Sequence, residues 1–172
     1  GVASRIESVV LVLFYALSAV IGPFVGQNIT SGRFDRIHKS LWLCTVFCLI
    51  FGLVIAGFLF LAADWLPSLF SYNYKVTRVT KIFLVVVPIS YGAYGMVMVM
   101  NASFNGMGKP IPAVIISVLR MVGIYIPLAF FLQSYYQILG IFLAYMIANL
   151  VSGAIAYFWA ISTLNINKSN MH

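Results

Sequence analysis

The sequence predicts an all-α integral membrane protein of about five transmembrane helices. Hydrophobic residues make up 63% of the 172-residue chain and charged residues only 8%, whereas an ordinary soluble domain is roughly a quarter charged. Four stretches carry no charge at all: residues 8–32, 40–63, 82–108 and 121–167. About 20 helical residues, rising about 1.5 Å each, cover a hydrocarbon layer of roughly 30 Å. The first three stretches each hold one crossing, and the last holds most of two.

Turn residues divide these stretches into spans at about 4–29, 40–63, 76–105, 111–132 and 138–164. Gly22-Pro23 predicts a kink near the end of the first, because proline removes a backbone donor. Thr30-Ser31-Gly32 stops it, and a polar loop with Arg33, Asp35, Arg36, His38 and Lys39 leads to Ser40. Asp64-Trp65-Leu66-Pro67 ends the second span. Trp65, Phe70, Tyr72 and Tyr74 then mark a connection lying on the membrane surface, as interfacial aromatics do. Lys75, Arg78 and Lys81, three apart, form a basic collar on one face where the third span starts. That span contains Pro88 and ends at Gly106-Met107-Gly108-Lys109-Pro110. The fourth carries Arg120 and Pro127, and the polar bridge 133–137 precedes the fifth. The tail 165–172 is polar and expected to fray. Because the chain begins with Gly1 and its first apolar run exceeds a signal-peptide core, it reads as a fragment.

Composition also excludes functions. The net charge of +7 comes from residues at span ends, where no continuous basic face for nucleic acid forms; they act as topology signals. The three acids, Glu7, Asp35 and Asp64, lie in separate segments, which argues against a paired-carboxylate hydrolase or any other enzyme. Cys44 and Cys48 share a helix face without a neighbouring His or acid and read as packing residues, not metal ligands. Neither His38 nor His172 has a partner for ligation.

Arg5-Ile6-Glu7, Pro23-Phe24-Val25-Gly26-Gln27-Asn28 and Gly32-Arg33-Phe34-Asp35-Arg36 resemble the eighth helix and following loop of the MATE (multidrug and toxic compound extrusion) family. Phe70-Ser71 and Gly106-Met107-Gly108-Lys109-Pro110 are similar to the borders of that family's tenth helix. The resemblance implies helices eight to twelve of a twelve-helix transporter, most of its C-terminal six-helix lobe, in the inner (plasma) membrane. It implies an antiporter without cofactors, in which inward Na⁺ or H⁺ drives export of cationic or amphipathic drugs. The implied partners are membrane lipid, small organic cations and the N-terminal lobe. Substrate would lie between the lobes, which rock against each other. The resemblance places the 33–39 loop in the cytoplasm, in agreement with a slight excess of Arg and Lys on that side.

One departure matters: the NorM-like branch has an acid in the tenth helix, but residues 82–108 have none and Tyr94 lies near that position. The ion site is therefore expected in the other lobe, as in the DinF-like branch. Two other readings stand beside antiport. A lipid-linked oligosaccharide flippase of the same superfamily would need a cavity rich in Arg and Lys, and a non-transporting scaffold would need no prolines inside its spans.

The candidate pathway residues are Gln27, Asn28, Tyr94, Met98, Asn101, Asn105 and Arg120. Arg120 lies about 14 Å into its span, where a charge costs about 2.5–3.5 kcal/mol. It must face water or protein, either capping carbonyls freed near Pro127 or acting in gating and substrate repulsion. Tyr94 and Met98, four apart, form a lining pair in a helix where Met96 and Met100 point elsewhere. The amides of Gln27, Asn28, Asn101, Asn105 and Asn149 suit interhelical hydrogen bonds of about 0.6–2 kcal/mol. Glu7 reads as an interfacial anchor, too distant to pair with Arg120.

Overall fold

A computed structural model describes residues 1–171, so the reading of His172 lies outside the described residues. The structure is helical throughout: α1 (Val2–Val10), α2 (Val12–Thr30), α3 (Phe34–Ala62), α4 (Tyr74–Val86), α5 (Tyr91–Gly106), α6 (Pro110–Val118), α7 (Ile126–Tyr136) and α8 (Ile138–Asn170). Five stretches are long and apolar enough to cross a membrane: α2, α3, α4–α5, α6–α7 and α8.

α5 is the hub. It packs on α2, α3 and α8, and 67% of the apolar window of α4–α5 is buried, against 6% for α6–α7. Small residues permit the close approach. A Cβ on Gly92 would sit 2.8 Å from the Cys48 carbonyl oxygen, and one on Gly52 would strike the Gly92 amide. Such crossings suit lipid, where association depends on backbone proximity and van der Waals packing. The peripheral α6–α7 span exposes Ile111, Val114, Val122 and Phe130 instead.

Helix boundaries depart from the sequence expectations in four places. The first span breaks at Leu11, while α2 continues through Pro23, which is exposed. The second span begins at Phe34, not Ser40, because Phe34, Ile37 and Leu41 form a buried stripe at helical spacing. The polar bridge at 133–137 shrinks to Gln137, a non-glycine residue at φ 57° and ψ −129°. The tail is helical to Asn170, held by Lys109 Nζ donating to Asn167 Oδ1 at 3.0 Å and by an exposed Lys168–Asp35 pair at 3.5 Å.

Prolines 88 and 127 reshape their spans. Val87–Ser90 tightens into a 3₁₀ turn and Leu119–Tyr125 widens into a π turn, since each proline lacks the N–H that would continue the α ladder. α2 and α5 share one terminator. Gly32 (φ 71°) and Gly108 (φ 75°) are left-handed, and the next amides, Arg33 and Lys109, donate back to Asn28 and Phe104 carbonyls at 2.8 and 2.9 Å, closing Schellman turns.

Candidate functional site

Both proline-modified turns pack on α8, and the polar contacts gather there. The π turn presents Arg120, whose Nη1 donates to Asn149 Oδ1 on α8 at 3.0 Å. Asn149 Nδ2 donates to Ser90 Oγ at 3.1 Å, and Ser90 Oγ donates to the Val87 carbonyl at 2.8 Å. Asn149 and Ser90 are fully buried, so the link between α8 and the 3₁₀ turn is out of reach of solvent, and Arg120 ties the π turn to it. Buried polar groups of this kind require partners, and each member here has one.

The other face of the guanidinium lies over the Tyr94 ring, with Cζ 4.6 Å from its centroid. A cation so placed gains about 0.5–2 kcal/mol, more as water is excluded. Arg120 remains half-buried. Among the described residues the ion pairs are Lys81–Asp64 and Lys168–Asp35, so Arg120 is in no direct ion pair and its contacts are with neutral groups. Expected carbonyl capping gives way to an amide and an aromatic face, because the π turn carries the Pro127 disruption within the backbone itself.

Glu7 completes the cluster. Its Oε1 accepts from Tyr145 Oη at 2.9 Å, and the Tyr145 ring meets Tyr125 of the π turn edge-on at 5.7 Å. Glu7 forms no direct ion pair with Arg120 among the described residues, but it lies in the same cluster, half-buried and bonded to α8, and not as a free interfacial anchor. Sequence reasoning missed Ser90 and Tyr145, and treated Asn149 only as packing. A serine two residues after an in-span proline was the one usable signal.

The remaining candidates are dispersed. Met98 is half-buried like Tyr94, while Met96 and Met100 are in the core. Asn101 Nδ2 donates to Ser117 Oγ of α6 at 3.3 Å. Asn28 is buried and bonds the Phe24 carbonyl of its own helix at 2.8 Å, whereas Gln27 and Asn105 are exposed. Among these candidates, Tyr94 and Arg120 are brought into direct contact.

The MatE family model matches residues 1–131. The chain belongs to the MatE family. MATE proteins are transporters rather than enzymes and are multi-pass membrane proteins, as the five apolar spans require. An FAD transporter of Shewanella oneidensis is 34% identical over 161 residues, covering 93% of this chain and 35% of that protein. A probable multidrug resistance protein of Bacillus subtilis, YoeA, is 24% identical over 159 residues, covering 91% and 34%. The bent form of the Vibrio cholerae MATE transporter VcmN superposes with a TM-score of 0.90 at 30% identity, covering 96% of this chain and 38% of that one. The chain thus spans about a third of the length of the curated relatives it matches.

Proposed function

We propose that this chain forms most of the C-terminal lobe of a secondary active MATE exporter that expels amphipathic aromatic compounds in exchange for inward Na⁺ or H⁺. The observation that carries this reading is Arg120, a charge deep in a span whose direct contacts, Asn149 and the Tyr94 ring, are neutral. A guanidinium so placed attracts an anionic group, and the tyrosines at 94, 125 and 145 around it suit a planar ring. The cargo is therefore an aromatic compound bearing an anionic group, in keeping with the Shewanella relative's name.

A second reading, export of cationic drugs, is favoured by Glu7, the one carboxylate in the cluster, and by the Bacillus relative's name. Proteoliposomes holding the full-length transporter separate the two. Under an imposed Na⁺ or pH gradient, the first reading expects flavin dinucleotide to move and Arg120→Gln to abolish its movement. Movement of ethidium alone, indifferent to Arg120→Gln, establishes the second and overturns the first.

A further inference from the structure

At the membrane face opposite Arg33, the surface connection, α4 and the start of α8 enclose a cleft of about 650 Å³. It shares no lining residue with the Arg120 cluster and plays no part in the function proposed above. Its lining changes character along α4. Arg78 and Lys81 lie at the rim, about one and two turns after the helix begins at Tyr74. Val85 and Val86 lie deeper, and Leu139 of α8 closes the apolar end. Positions 78, 82 and 86, like 81 and 85, recur every four residues and so share one side of the helix. From Arg78 to Val86 the rise is about 12 Å, which carries the cleft from headgroup level into the hydrocarbon.

The rim is electrically lopsided. Lys81 Nζ is held by Asp64 Oδ1 at 2.5 Å, while Arg78 is in no ion pair among the described residues. Two cations against one carboxylate leave a net positive rim above an aliphatic floor. An occupant that matches both ends carries a negative charge separated by about 12 Å from an aliphatic chain. We infer that the cleft binds an anionic phospholipid of the adjoining leaflet, with its phosphate at Arg78 and Lys81 and an acyl chain along Val85, Val86 and Leu139. Arginine and lysine bind phosphate oxygens through charge-assisted hydrogen bonds. A free phosphate matches only the rim, and an uncharged lipid only the floor.

The test is native mass spectrometry of the purified full-length transporter with added phosphatidylglycerol, phosphatidylethanolamine or inorganic phosphate. The wild type is expected to retain phosphatidylglycerol in preference to phosphatidylethanolamine. Arg78→Gln, an exposed change that leaves packing intact, is expected to lower that retention about fivefold, the effect of losing one exposed charge contact. Val85→Trp, which fills the apolar end without altering charge, is expected to lower it as well. Equal retention of the two lipids by the wild type, or undiminished retention in Arg78→Gln, overturns the proposal. Displacement of phosphatidylglycerol by inorganic phosphate also overturns it, since the rim alone then accounts for binding.

Discussion

Arg120 and Asn149, on neighbouring spans, are joined by a 3.0 Å hydrogen bond, and the same amide holds Ser90 through its nitrogen. One buried side chain thus fixes a charge on the π turn and a hydroxyl on the 3₁₀ turn.

Asn149→Leu should therefore remove two hydrogen bonds and leave the guanidinium short of a buried acceptor. We expect a loss of about 1–3 kcal/mol, read as a lower midpoint for thermal unfolding of the full-length protein in detergent. Asn149→Asp keeps the acceptor and adds an opposite charge, so it should retain more stability than Leu. Equal midpoints for wild type and Asn149→Leu would show that the relay is not holding the turns.

Gly52 and Gly57 lie on the same helix and make opposite predictions. Gly52→Ala drives a Cβ into the Gly92 backbone, whereas a Cβ on Gly57 meets nothing within 4 Å. Overpacking at Gly52 should cost about 1–3 kcal/mol, and Gly57→Ala should gain about 0.5–1 kcal/mol from helix propensity. Comparing the two midpoints checks the crossing of α3 on α5. A stable Gly52→Ala protein would mean the helices are farther apart.

Gln137 joins α7 to α8 at φ 57° and ψ −129°, a region that penalises a side chain by about 1–3 kcal/mol. Gln137→Gly should relieve that strain and raise the unfolding midpoint, offset in part by the entropy of a freer unfolded chain. A clear fall in midpoint would place the hairpin turn in another conformation.

The spans were legible in the sequence because uncharged runs of bilayer length report directly on the solvent. Less legible were the starts and stops. Charges at 33–39 resemble a loop, yet Phe34, Ile37 and Leu41 repeat at helical spacing and carry the signal that α3 begins there. The site was half-visible. Arg120 stood out because its cost in lipid demands a partner, and Tyr94 because it is aromatic in a glycine-bordered helix. Their meeting with Asn149, Ser90 and Tyr145 depends on how three spans are rotated about their axes. Tyr145 and Glu7, which share a hydrogen bond, are 138 residues apart, and local periodicity says nothing about such pairs.

The most direct measurement is gradient-driven efflux by the full-length transporter carrying Arg120→Leu or Arg120→Lys, at expression equal to wild type. Leucine removes charge and fork together; lysine keeps the charge but cannot both stack flat on Tyr94 and reach Asn149 as arginine does. If Arg120 lies on the cargo pathway, Leu abolishes efflux while the protein remains inserted, and Lys retains part of it where charge dominates or none where the fork geometry does. Wild-type efflux by Arg120→Leu would contradict the proposal and leave Arg120 a structural tie between spans.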